Sequence, residues 1–279
     1  MGKITVAVSE SILPVIKQEE QRFEEWYSEA HVDLLTMTAR EALTRLFNDT
    51  IKVVVTSRPM NAEEREVAKR SKLDFQEYKI AIDGIAIIVN AKNSIEKLRT
   101  TQLDSIYRGL ITRWDDVGGK KSSIEICLPN RNSGTFEIVG MNVLKGGNFT
   151  TPAQVVETSP GMIQFVSEHP DAIGMIGVNW LRENNESIRT LELSDPSAPD
   201  SLGIRGKYFA PFQAYIYRGF YPITREIYIY SKADMYSVGA GFISFITSAP
   251  GQQIILNNGL VPATMPIRLV ELTNKGIQK

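Results

Sequence analysis

The sequence predicts an α/β fold built on a largely parallel sheet, and three observations carry that expectation. Short β-branched runs alternate with helical patterns from Ile4 to Ser71. A long apolar stretch, residues 78–90, exceeds one ordinary strand, and a second alternating run at 221–230 answers it later in the chain. A strand at 124–128 leads through Pro129-Asn130-Arg131-Asn132-Ser133-Gly134-Thr135 into an apolar-faced helix. With 279 residues the chain has room for a sizeable core and two domains.

Taken in order, residues 4–8 form the first predicted strand, ending at Ser9-Glu10-Ser11. Beyond Pro14, Ile16, Phe23, Trp26 and Tyr27 have helical spacing, with charges on the opposite side. Residues 32–35 suggest a second strand, and Thr38 with Glu41 makes a capping-box pattern before Leu43, Leu46 and Phe47. The run at 51–55 reads as a buried parallel strand that stops at Thr56-Ser57-Arg58-Pro59. Asn61 then caps a polar helix over 62–71. In such sheets ligands sit beyond the carboxyl ends of strands, so the polar ends at 9–11, 36–38 and 57–58 share a candidate rim.

Residues 78–90, interrupted at Asp83-Gly84, read as a strand crossing from one lobe into another. A short helix over 101–109 is stopped by Gly109, and the Trp114 loop and the Gly118-Gly119 turn follow. Thr151-Pro152 and Ser159-Pro160 both have the cap-then-proline form of a helix start. Residues 172–178 form a glycine-punctuated strand, 184–201 a polar loop, and 221–230 the return crossing. Apolar helices over 238–247 and 251–257 close the pattern.

The loop at 129–137 carries the most chemistry. A helix opening from a strand aims unpaired N–H groups, at the positive end of the helix dipole, towards one point, and that point attracts an anion. Gly134 permits close approach, Ser133 and Thr135 add hydroxyls, and Arg131 adds a planar cation. The same residues also make an ordinary helix start capped by Asn132 or Ser133, and spacing leaves both readings open.

Lysine plus arginine number 31 against 32 aspartates and glutamates, a balance that argues against nucleic acid as a partner. The lone cysteine, Cys127, sits among apolar residues as core filler. His31 and His169 stand apart without metal-ligand spacing, so no metal or cofactor is expected. No run is long enough for a membrane span, and the opening residues do not form a signal peptide; the chain reads as cytoplasmic or as a mature form without its leader.

Several stretches, in order, resemble the phosphate-binding proteins of ABC importers, as a divergent branch of the type II periplasmic binding proteins. They are 103–109, 111–119, Ser133-Gly134-Thr135, 172–177, 221–225, 251–254 and 259–262. The resemblance implies a periplasmic-binding-protein-like α/β fold, with two α/β lobes joined by two crossing strands and a ligand cleft between them. Lobe 1 is expected to comprise residues 1–86 plus 227–279, and lobe 2 residues 87–226. It also implies capture of phosphate or a similar tetrahedral oxyanion, delivery to a membrane permease, a periplasmic location with a lipid anchor, and a monomer.

Carried over by position, Ser133, Gly134 and Thr135 match the loop that binds the anion, Ser11 the first-strand turn and Thr38 the second helix start. Ser57 and Arg58 fall where the family usually has an aspartate just after a serine, and Arg131 stands closer to Ser133 than the family's binding arginine does. Arg58 and Arg131 are therefore expected either to ligate the anion or to serve as surface or lobe–lobe ion pairs.

A phosphatase on the same scaffold is the enzymatic alternative, but no nucleophile elbow, zinc-helix motif, Walker loop or metal cluster supports it. Glu10, Asp83 and Asp104 read as structural carboxylates. A sensory or interaction module that has lost the ligand is the other alternative. The expectation is a binding protein, not an enzyme.

Overall fold

The first half of the sheet follows from residues that bury both faces. In the computed structural model, which describes residues 2–150, 152–181 and 186–264, β1 (Gly2–Ser9), α1 (Leu13–Trp26), β2 (Ala30–Met37), α2 (Ala39–Phe47), β3 (Val53–Thr56) and α3 (Ala62–Arg70) alternate. β1 pairs in parallel with both β2 and β3. Val6, Val8, Val53 and Val55 face one cluster of buried side chains, while Ala7 and Val54 face another on the opposite side. That two-sided burial is why β3 is a continuous β-branched run instead of an alternating one.

The chain then passes through β4 (Gln76–Asn90), β5 (Lys97–Arg99), α4 (Thr100–Tyr107), β6 (Glu125–Pro129), α5 (Gly134–Asn142), β7 (Gln154–Val156), α6 (Ser159–Glu168), β8 (Ala172–Gly177), β9 (Ile188–Thr190) and β10 (Glu192–Ser194). It closes through α7 (Gln213–Tyr217), β11 (Thr224–Ser231), α8 (Val238–Thr247), α9 (Ala249–Asn257) and β12 (Val261–Pro262). The main sheet runs β2-β1-β3-β11-β4-β8-β6-β7, with β9 and β12 also paired to β4, and β5 pairs with β10 in a small second sheet.

β4 is where the two halves meet. Ile80 and Ala81 pack in the core of the first half, whereas Ile85 to Val89 pack in that of the second. β11 runs antiparallel to β4 and makes the return: Tyr221 and Ile223 just before it belong to the second core, and Ile227 and Ile229 to the first. The molecule is therefore two α/β halves with separate cores, joined by two antiparallel crossing strands. At about 25 cal/mol per Å² of buried apolar surface, each core is a substantial folding unit.

Four local expectations differ from the structure. Asp83-Gly84 does not break the crossing strand, because β4 continues through it. No helix follows Pro152, where β7 forms instead; Thr151 itself lies outside the described residues. Ser159 is the first residue of α6 and not its cap: Thr158 Oγ1 accepts from the Gly161 N–H at 3.2 Å. The stretch expected to be loop carries β9 and β10, three-residue strands too short to show an alternation; residues 184 and 185 of it lie outside the described part. α7, also short, was not foreseen, and the final residues assigned to lobe 1, 265–279, lie outside the described part.

Candidate anion-binding site

Three helix heads and two strand ends meet in one place. β1 ends at Ser9 and tightens into a 3-10 turn, Glu10–Ile12, that presents Ser11. β3 lies beside β1 in parallel, so its end comes alongside, and the Ser57 N–H donates to Ser9 Oγ at 3.2 Å. Thr38 caps α2, its Oγ1 accepting from the Glu41 N–H at 3.2 Å. Ser133 caps α5 in the same way, accepting from the Phe136 N–H at 3.2 Å. A cap satisfies a later N–H, while the first N–H groups of a helix have no intrahelical carbonyl to meet. Gly134 and Thr135 occupy those first positions in α5, and Ala39 does in α2.

These residues line a cavity of about 30 Å³, more than the roughly 10–15 Å³ that one water needs. Of the eight residues expected from the sequence, Ser11, Thr38, Ser57, Ser133, Gly134 and Thr135 line it. Ser57 is fully buried and its hydroxyl has no hydrogen-bond partner. A buried unpaired hydroxyl is costly, by about 1–3 kcal/mol, and marks a place where a partner belongs. The fit of α5 onto this point is close: a Cβ on Gly134 would lie 2.3 Å from Ser57 Oγ.

The two arginines are not part of the wall. Arg58 turns away into a buried ion-pair cluster: Nη1 and Nη2 each donate to Glu64 at 2.7 Å, and Nη2 donates to Glu137 at 3.1 Å. Nε also lies 2.8 Å from Glu137 Oε2, close enough for charge attraction but off the hydrogen-bond axis. Burial works against the Arg58 cation, yet Glu64 and Glu137 outweigh it and hold its pKa above the usual value. Of the two roles the sequence left open for Arg58, the structure shows the ion pair. Arg131 is exposed on the loop before α5, away from the cavity wall. Sequence position placed both near the site, but side-chain direction sent them elsewhere.

Sequence reasoning missed five contributors, among them Glu157, which lines the cavity. Glu10, read as a structural carboxylate, reaches across to the head of α6, accepting from the Ser159 N–H at 2.8 Å and its hydroxyl at 3.0 Å. Burial raises its pKa, opposed by those two bonds and by the charge of Arg225. Thr158 and Ser159 line the cavity with it, and the helix-start pattern around Pro160 was the available signal. Arg225 stands directly behind the wall, donating to Ser11 Oγ at 3.0 Å and to Thr135 Oγ1 at 2.8 Å. It sits in the 221–225 motif, which pointed to a crossing strand and not to a site.

Asp83 pairs with Arg225 at 2.6 Å, and Asp104 with Arg108 at 2.8 Å. Cys127 is buried and unpaired, its thiol pushed up to about 12 by burial. Among the described residues no cluster of His, Cys, Asp or Glu is placed to hold a metal, and no helix is long and apolar enough to cross a membrane.

The wall thus offers N–H and O–H donors with the carboxyl groups of Glu10 and Glu157 beside them, a set suited to a small anion. Comparison with known proteins agrees in kind. The sequence profile described as the PBP superfamily domain matches residues 1–250. The phosphate-binding protein PstS of Staphylococcus saprophyticus is 25% identical over 248 residues, covering 88% of this chain and 75% of the relative. Among solved structures, one from Clostridium perfringens, described as a phosphate ABC transporter substrate-binding protein with bound phosphate, superposes with a TM-score of 0.81 at 22% identity. That superposition covers 94% of this chain and 100% of the other. An ABC-type phosphate transport receptor from Vibrio cholerae gives 0.70 at 22% identity, with the same coverage.

Proposed function

The chain belongs to the PBP superfamily, and on that premise we propose that it captures phosphate between its two halves and delivers it to an ABC importer. The observation that carries this reading is the convergence, on one cavity, of the heads of α2 and α5, the Ser11 and Thr135 hydroxyls and the Ser57 hydroxyl that bonds no protein group. The relatives are named as phosphate-binding proteins, which supports the same ligand class.

Capture here needs no bond making. Each charge-assisted hydrogen bond to the anion contributes on the order of 1.5–3 kcal/mol net, more than a neutral pair does. The positive potential comes from helix heads, because no cation is part of the lining. Glu10 and Glu157 are on that lining, so the guest best matched is a tetrahedral anion that still carries a proton to donate. Phosphate does so near neutral pH, and sulfate does not.

The proposed lobes are residues 1–86 plus 227–279 and residues 87–226, hinged where β4 and β11 cross; the separate cores support a division close to these bounds, with Ile85 and Ala86 packing on the second side. Ligand that contacts both lobes stabilises the closed form by its differential affinity. The full-length protein is proposed to work as a monomer outside the cytoplasmic membrane, lipid-anchored, beside its permease, and without enzymatic turnover.

Calorimetric titration with phosphate, arsenate, sulfate and molybdate tests the reading. Saturable, one-site phosphate binding that exceeds sulfate binding is expected. A well-folded protein without saturable anion binding would point to a sensory or interaction module, and turnover of a chromogenic phosphate ester would point to an enzyme.

A further inference from the structure

Arg225 spends every donor it has on the protein. Its Nε and Nη2 donate to Asp83 Oδ2 at 2.9 and 2.6 Å, Nη2 also to the Ser11 carbonyl at 3.3 Å, and Nη1 to the Ser11 and Thr135 hydroxyl oxygens. Those five bonds match the five N–H groups of a guanidinium, so none remains for a guest. The side chain is fully buried, as is that of Asp83, its partner in register on β4.

A guanidinium donates and never accepts, whereas a hydroxyl has one proton and two lone pairs. The oxygens of Ser11 and Thr135 must therefore accept from Arg225, and their own protons must point elsewhere. Both side chains line the cavity, and among the described residues neither hydroxyl donates to another protein group. Ser11 follows β1 in the first half and Thr135 heads α5 in the second, so Nη1 holds both only when the halves are together.

We propose that Arg225 is a positioning residue that fixes the donor polarity of the closed cavity, turning the Ser11 and Thr135 hydroxyl protons inward onto the anion. Asp83 offsets the charge of the guanidinium, so what Arg225 supplies is orientation more than net attraction. Room for the pair is kept by Gly177, where a Cβ would lie 2.5 Å from Arg225 Nη2 and 2.7 Å from Asp83 Oδ2. The proposal rests on the reading of the cavity as a phosphate site.

The test is a thermodynamic cycle read by titration with inorganic phosphate. Arg225→Gln with Asp83→Asn keeps the buried pair neutral overall but replaces a donor-only fork with amides that also accept. Phosphate affinity is expected to fall about tenfold while the protein stays folded. Ser11→Ala with Thr135→Val removes the hydroxyls and should cost at least as much. Combining all four changes should leave affinity within about twofold of the hydroxyl-less variant, because Arg225 acts through those hydroxyls.

Unchanged affinity in the folded Arg225→Gln, Asp83→Asn protein, or losses that multiply fully in the combined variant, would overturn the proposal. If the paired variant does not fold, Arg225→Lys takes its place in the same cycle with the same outcomes. It keeps a cation beside Asp83 but cannot fork to two hydroxyls. Failure of the unmodified protein to bind phosphate is a separate result, one that removes the functional reading and this proposal with it.

Discussion

Arg58 and Glu137 meet across the boundary between the two cores, Nε 2.8 Å from Oε2, and tie the end of β3 to the first turn of α5. Glu64 holds the other side of the same guanidinium and also accepts from the Asn61 N–H at the head of α3. Burial raises the Glu137 carboxyl and the charges of Arg58 and Arg40 oppose it. The arginine that the sequence offered as an anion ligand thus joins the two lobes, outside the cavity.

Removing Arg58 leaves two carboxylates facing one another in a buried place. Arg58→Met is expected to destabilise the fold by about 3–5 kcal/mol, measured by denaturant unfolding. Glu137→Gln keeps the Arg58–Glu64 pair and loosens only the tie between lobes. It should weaken phosphate severalfold without altering the phosphate-to-sulfate ratio. A changed ratio would place Arg58 back among the groups that sense the anion.

Gly134→Ala tests how tightly the closed form fits. The added methyl would stand 2.3 Å from Ser57 Oγ and 3.1 Å from its carbonyl oxygen, too close for either half to accommodate without moving. Helix α5 itself tolerates alanine, so secondary structure should persist. Phosphate affinity is expected to drop by about a hundredfold or more, and small-angle scattering should show no compaction at saturating phosphate. Affinity within threefold of the unmodified protein would mean that Gly134 does not approach Ser57 in the bound state.

Ser57→Ala separates ligand binding from folding. Ser57 Oγ bonds no protein group, so the change removes no intramolecular hydrogen bond and the unliganded melting temperature should change little. The stabilisation that phosphate adds should shrink, reflecting about a tenfold weaker complex. An equal ligand-induced shift in both proteins would remove Ser57 from the site.

Glu19 gives a pH dependence. Its side chain is buried in α1, neither carboxyl oxygen has a hydrogen-bond partner, and burial pushes its pKa up to about 9. The folded state therefore holds this proton more tightly than the unfolded chain, whose glutamate titrates near its ordinary value of 4.5. The stabilisation is complete below that value and is lost as pH rises towards 9, amounting to about 3 kcal/mol by pH 7. Glu19→Gln stays neutral throughout, so its stability relative to the unmodified protein should rise steadily from about pH 5 to about pH 8. A flat difference curve would mean that the carboxyl finds a partner.

Much of the candidate site was legible before any coordinates. Asn132 or Ser133 as a cap, Gly134 and Thr135 at a helix head, Thr38 as a second cap and the strand ends at Ser11 and Ser57 all follow from local rules about which residues begin helices and end parallel strands, and the structure selects Ser133. The six sit on one cavity. Arg58 and Arg131 were legible only as charges near the site, because the direction a long side chain takes depends on partners far along the chain, Glu137 in the case of Arg58.

The sequence by itself determined the alternation of strands and helices up to α3, the two crossing strands and the residues around the heads of α2, α3 and α5, since each depends on interactions within a few residues. Only the tertiary structure decided that Arg225 and Asp83, distant in sequence, pair on neighbouring crossing strands, and that Glu10 reaches the head of α6. Those contacts depend on how β4 and β11 register and on how the two cores close. Registry and closure are set by packing across the whole sheet, and no local pattern of residue types records them.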